Sequence, residues 1–184
     1  MSASMRTGGG AEVLLIGGRS GVGKSSVGWE VAARLRAADI GHALIEGDLL
    51  DAVHPAPRGD PHRSRITERN LAAIWANYRE LGCGRLVCTN TASVLADEEQ
   101  LFVRALDGPR IIRVLLTATD ATAERRLTAR ERGSELGQQL RRSAFMAHRL
   151  DEHAAPGTHR IATDDREVGD IAAEVVGVTG WEWR

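Results

Sequence analysis

The 184 residues suit one folded unit, with 42% apolar residues to bury and 27% charged residues to cover it. A formal net charge of -1 excludes a molecule-wide field that draws the chain to nucleic acid or anionic lipid. Two cysteines, Cys83 and Cys88, are too few for an extracellular disulfide framework and no apolar run reaches the roughly 18 residues of a membrane span, so a cytoplasmic location is expected.

Residues 1–10 are Ser/Gly-rich without an apolar centre, so they read as a disordered lead-in and not as a signal peptide, followed by a single domain over 11–184. Val13 to Ile16 is a short apolar run ending in glycines, as a buried strand would be. Val27, Val31 and Leu35 then share one helical face, and Gly41 is expected to stop that helix. His42 to Glu46 reads as a second strand. A loop marked by Pro55, Pro57, Gly59 and Pro61 follows. Leu71, Ile74, Trp75, Tyr78 and Leu81 recur at helical spacing, and Arg85 to Thr89 forms a third strand. Asp97 and Gln100 have the spacing of a capping box that opens a helix carrying Leu101, Phe102 and Leu106. Ile111 to Leu116 is a fourth strand, and Thr119 or Asp120 caps an Arg-rich helix. A later helix carries Phe145, Met146, Arg149 and Leu150. His159 to Ala162 makes a fifth strand, and Val168, Ile171, Ala172, Val175 and Val176 line a last helix.

Strands that alternate with helices imply parallel pairing with right-handed crossovers. The expected fold class is α/β: a five-stranded parallel sheet with helices on both faces. Ligands of such sheets sit at the carboxyl ends of the strands.

At the end of the first strand, Gly18-Arg-Ser-Gly-Val-Gly23-Lys24-Ser25 matches the Walker A pattern at every fixed position, between a strand and a helix as the motif requires. Glycines let the backbone wrap phosphate and aim several N–H groups inward, and the helix N-terminus adds partial positive charge. The expected phosphate contacts are Gly18, Ser20, Gly21, Val22, Gly23, Lys24, Ser25 and Ser26. Lys24 reaches the β- and γ-phosphates, and the Ser25 hydroxyl binds Mg²⁺. The pattern predicts a P-loop NTPase.

P-loop enzymes add an acid near the metal. The third strand ends Cys88-Thr-Asn90, without a carboxylate, whereas the second ends Glu46-Gly-Asp48. Glu46 and Asp48 are therefore the candidate metal-shell acids. Asp48 lies just past the strand, where a carboxylate can orient an acceptor hydroxyl or take its proton.

Arg125, Arg126, Arg130, Arg132, Arg141 and Arg142 lie close together, with Glu124, Glu131 and Glu135 among them. Some belong to a solvated helix face. The others suit a short Arg-rich lid, because guanidinium groups fork onto phosphate oxygens and stabilise charge developing on the γ-phosphate. Gly133 and Gly137 are the expected hinges. The stretch lacks the interleaved aromatics of a nucleic-acid surface.

With these motifs the chain resembles the small P-loop kinases of the shikimate kinase, gluconate kinase, adenylylsulfate kinase and chloramphenicol phosphotransferase type, from about Glu12 to Val178. The likeness rests on the Walker A, on Glu46-Gly-Asp48, on Arg126-Leu-Thr-Ala-Arg130 and on Ile161-Ala-Thr-Asp164. It implies that Asp48 contacts the acceptor hydroxyl and metal shell. It further implies that Arg126 packs on adenine, that Arg130 contacts phosphates, and that Thr163 and Asp164 border the base. The chain also resembles nucleotide-binding antibiotic-resistance proteins of the tunicamycin-resistance type.

The expected activity is ATP- and Mg²⁺-dependent transfer of the γ-phosphoryl group to a hydroxyl of a small molecule, with Lys24, Asp48 and Arg130 as catalytic residues. Residues 49–70 form the acceptor pocket, where His54, Arg58, His62, Arg63 and Arg65 favour an anionic or polyhydroxylated acceptor. The alternative is a non-catalytic nucleotide-dependent switch or an antibiotic-binding resistance protein, with Asn90 to Ser93 lining a ligand or partner site. Asn-Lys-x-Asp and a post-strand Asp-x-x-Gly are both missing, which argues against a GTPase.

Overall fold

The computed structural model describes residues 10–130 and 136–181. Residues 1–9 of the lead-in, Glu131, Arg132, Gly133, Glu135 and Trp183 lie outside the described residues. In chain order the elements are β1 (Glu12–Gly17), α1 (Lys24–Ala37), β2 (Ala43–Glu46), α2 (Ser64–Glu80), β3 (Arg85–Thr89), α3 (Glu99–Ala105), β4 (Arg110–Thr117), α4 (Asp120–Arg130), α5 (Leu136–His153), β5 (His159–Ala162) and α6 (Val168–Thr179). Single 3₁₀ turns occupy Gly47–Leu49 and Ala96–Glu98.

The five strands form one parallel sheet in the order β2-β3-β1-β4-β5. β1 lies at its centre, with Leu14 opposite Val87 on one side and Ile112 on the other. Successive side chains of a strand face opposite sides of a sheet. Val13 and Leu15 accordingly enter a core with Leu71, Trp75, Leu101, Phe102 and Leu150 from α2, α3 and α5. Leu14 and Ile16 enter the other core, with Val27, Val31, Leu35, Ile171 and Val175 from α1 and α6. Because both faces are covered, β1 is a continuous apolar run from Val13 to Ile16 rather than an alternating one. Trp181, just past α6, is 4% exposed in that second core, with the Arg85 guanidinium 5.9 Å from its ring. It therefore docks on the fold.

Several local expectations differ. The helix after the phosphate loop ends at Ala37, and Asp39, not Gly41, takes the left-handed conformation beyond it, with φ 53°. A short polar side chain tolerates that region better than most. Leu81 falls one residue past α2 and is 84% exposed, so the helical period stops one residue before it. Asp97 opens no capping box. It lies in the 3₁₀ turn before α3, and its carboxylate accepts a 2.7 Å bond from Arg149 on α5. Phe145 is 65% exposed on α5, whereas Leu150 is buried. Thr119 does cap α4: its Oγ accepts from the Thr122 N–H at 3.3 Å.

Candidate active site

The site assembles at the carboxyl edge of β1, β2 and β3. Residues 18–23 leave β1 and turn directly into α1. Gly21 has φ 85°, and a Cβ there would lie 2.7 Å from the Ala123 carbonyl oxygen on α4. Gly18 has φ 148°, and a Cβ there would lie 2.8 Å from the Leu116 carbonyl oxygen. Side chains are excluded at both positions by conformation and by space. The loop thus carries the bare backbone that a phosphate cradle requires.

A loop that aims N–H groups inward must turn carbonyls outward, and those carbonyls need partners. The Lys24 ammonium donates to the Arg19 carbonyl at 3.4 Å. The Ser143 hydroxyl of α5 donates to the Ser20 carbonyl at 2.8 Å. Arg126 Nη1 of α4 donates to the Val22 carbonyl at 3.2 Å. Arg126 also donates to the Thr163 hydroxyl at 3.0 Å and the Thr163 carbonyl at 2.9 Å, and Thr163 donates on to Thr117 O. The residues expected near the base are thereby tied to the phosphate loop itself. Asp164 accepts from the Thr119 N–H and hydroxyl, which joins the turn after β5 to the start of α4.

Lys24 is 9% exposed, and burial lowers its pKa against the opposing pull of Asp48, with Arg130 lowering it further. Its ammonium lies 3.7 Å from Asp48 Oδ2. Asp48 is about half exposed, so this pair contributes at most about 1 kcal/mol to stability. Its significance is positional. The Asp48 carboxylate is itself held across the sheet edge, accepting from the Thr91 N–H at 2.9 Å and the Thr91 hydroxyl at 3.1 Å.

Glu46 faces α1. Its Oε2 accepts from the Ser25 hydroxyl at 3.4 Å, and its Oε1 from the Trp29 indole N–H at 2.8 Å. Ser25, Glu46 and Asp48 therefore present an oxygen-only donor set around Lys24. Among the described residues no three His, Cys, Asp or Glu side chains converge as a dedicated metal cage. That fits Mg²⁺, which takes one or two carboxylates and leaves its other positions to phosphate and water.

The expected acceptor region, residues 49–70, borders Asp48. Part of its positive charge is already engaged: Arg63 donates to the Val53 carbonyl at 3.3 Å. Burial raises the Asp51 pKa, with Arg63 opposing. Asp60 is buried and accepts the Arg65 and Ile66 N–H groups at the start of α2. Arg58, His62 and Arg65 are exposed. A separate cavity of about 380 Å³ is lined by Arg19, Leu115, Thr119, His148 and Arg160 among others. It includes none of Lys24, Ser25, Glu46 and Asp48, so it is separate from the candidate site. Cys88, fully buried with its thiol pushed up to about 12, is inert.

Arg19 and Ser143 escape sequence reasoning as site residues, and Thr91 enters it only within the Asn90 to Ser93 run of the alternative reading, not as a partner of Asp48. The polar run Asn90-Thr-Ala-Ser93 at the end of β3 is a faint signal for Thr91. Arg19 occupies a variable position of its motif, and nothing in Arg142-Ser143-Ala144 marks the serine.

No protein-family model and no curated protein matches the sequence. Solved structures do. The tunicamycin resistance protein of Deinococcus radiodurans is 21% identical, with 92% of this chain and 96% of that one covered and a TM-score of 0.63. A gluconokinase from Sinorhizobium meliloti is 20% identical, with coverages of 91% and 90% and a TM-score of 0.60. The Mycobacterium tuberculosis APS kinase, solved with AMPPNP and APS, is 22% identical, with coverages of 92% and 97% and a TM-score of 0.58. The chain therefore has the α/β fold of the small P-loop kinases over nearly all of its length.

Proposed function

We propose that the protein is a small-molecule kinase that uses ATP and Mg²⁺. The observation that carries the reading is the juxtaposition of a buried Lys24 with Asp48, 3.7 Å apart, at the mouth of a glycine-lined phosphate loop. In the reaction the acceptor oxygen forms a bond to the γ-phosphorus while the bond to the β,γ-bridging oxygen breaks, leaving ADP. Lys24 offsets charge on the β- and γ-phosphates, and its low-dielectric setting strengthens that attraction. Asp48, aligned by Thr91, orients the acceptor hydroxyl and receives or relays its proton. Mg²⁺ would supply charge neutralisation between the phosphates, held by the Ser25 hydroxyl with Glu46 and Asp48 in its shell. Arg130, whose charge reaches Lys24, acts on the transferred phosphate, and Arg126 and Thr163 border the nucleoside.

The acceptor is a small hydroxyl compound bound beside residues 49–70. The exposed Arg58, His62 and Arg65 favour an anionic or polyhydroxylated one. Dependence on an ATP pool agrees with a cytoplasmic location, and among the described residues no helix is long and apolar enough to cross a membrane. A nucleotide-dependent switch or antibiotic-binding resistance protein without transferase activity is the competing reading; what supports its resistance part is the likeness to a tunicamycin resistance protein.

ADP release from Mg-ATP, measured across sugars, sugar acids, nucleosides and aminoglycoside-like, amphenicol-like or tunicamycin-like antibiotics, separates the two. Turnover stimulated by one acceptor, and lost in Lys24→Ala and Asp48→Ala, is the expected result. Tight nucleotide binding that no acceptor converts into turnover would favour the competing reading.

A further inference from the structure

The phosphate loop is fastened to α4 and α5 by side chains with no part in the proposed chemistry. Arg19 is 6% exposed and Ser143 is 1% exposed. Arg19 Nε donates to Ser143 Oγ at 2.9 Å, and Ser143 Oγ donates to the Ser20 carbonyl at 2.8 Å. A serine hydroxyl has one proton and two lone pairs. Since its proton goes to Ser20, its lone pair faces Arg19, and the direction of the relay is determined. The Arg19 guanidinium also pairs with Asp120 at the first turn of α4. Adjacent loop residues are thus tied to two helices remote in sequence.

The Arg19–Ser143 bond is buried, so a guanidinium N–H left unpaired there is costly, and the Ser143 hydroxyl holds the part-buried Ser20 carbonyl in a fixed direction that a mobile solvent molecule does not impose. The Ser20 carbonyl matters for a second reason. In a phosphate cradle an outward carbonyl keeps its peptide N–H partner turned inward. A rotated Ser20–Gly21 peptide would place an oxygen lone pair against anionic phosphate and remove a donor. We propose that Ser143, supported by Arg19, is a positioning residue for nucleotide binding: it locks the Ser20–Gly21 peptide in the phosphate-binding orientation and couples the loop's shape to α5. The inference rests on the nucleotide reading of the loop.

The test is the affinity of the full chain for a fluorescent ATP analogue with Mg²⁺, together with the melting temperature and amide hydrogen exchange over residues 20–23. Ser143→Ala is expected to bind the analogue about tenfold more weakly, equivalent to about 1.4 kcal/mol. Its loop amides should exchange faster than wild type at a temperature where the variant is folded. Ser143→Cys keeps the shape and a weak donor, and should fall between the two. A lower melting temperature with wild-type affinity and wild-type loop exchange would mean ordinary core packing and would overturn the inference. Should Ser143→Ala fail to fold, Ser143→Cys decides in the same way, with wild-type affinity again overturning it. Lys24→Met separates the two levels. If wild type binds, Lys24→Met does not and the Ser143 variants bind normally, only the positioning role falls. If wild type itself binds no analogue, the nucleotide reading falls and the inference with it.

Discussion

Lys24 carries its charge where burial penalises it. Its pKa lies below the ordinary 10.5, chiefly through desolvation, although Asp48 pulls the other way. Between its native value and 10.5 the unfolded chain binds the proton more tightly than the folded one. Stability of the ligand-free protein therefore rises with pH across that window, and the penalty is fully present below it. Lys24→Met is expected to melt no lower than wild type near neutral pH, with the gap closing as pH rises toward 10.5. Chemical denaturation at several pH values checks this, and a markedly less stable variant would show that the pair with Asp48 outweighs burial. Asp48→Asn keeps the Thr91 contacts in part but removes the proposed base. Acceptor-stimulated turnover should fall about 10²–10⁴-fold, with nucleotide affinity changed only a few-fold. Turnover and titration on the same sample would separate the two effects.

Among the elements, α4 shows how a helix start is built from distant parts. Thr119 caps it through the Thr122 N–H, and Asp164 accepts from both the Thr119 N–H and hydroxyl. Hydrogen bonds from Thr119 and Thr122 hold the Asp164 carboxyl below its ordinary 3.8. That contribution is present above 3.8 and is lost as pH falls through the lowered native value. Thr119→Ala should cost about 1 kcal/mol at neutral pH, the usual loss for an N-cap. The difference from wild type should shrink in acid, as urea titrations at pH 7 and pH 3 would reveal. The cap was legible in the sequence because Thr119-Asp120 stands directly before a helical stretch. Its tie to Asp164, 45 positions away, was not. The proposed box at Asp97 failed for the converse reason: Arg149 of α5 lies within reach and takes the carboxylate instead.

For the molecule as a whole, the sheet places every candidate group at one edge, so ligand binding and global stability are linked. With Mg-ATP at 100 times its dissociation constant the gain is about 2.7 kcal/mol, or roughly 5–10 °C in melting temperature for a chain of this size. Wild type should show that shift and Lys24→Met should not. A thermal scan with and without Mg-ATP measures it, and equal shifts in both proteins would place the nucleotide elsewhere. Strand positions, their parallel sense and the glycine-rich loop were legible in the sequence, because apolar runs, the alternation of strands with helices and glycine spacing are read along the chain, whereas the strand order β2-β3-β1-β4-β5 was not. Only the tertiary structure decided that Thr91 aligns Asp48, 43 positions away, that Glu46 faces Ser25 and Trp29, and that Ser143 and Arg19 fasten the loop. It alone decided that Trp181 is buried and Phe145 exposed. Those partners meet because parallel crossovers bring the ends of β1, β2 and β3 together, and the hydrogen bonds formed there depend on distances in space that no spacing along the chain encodes.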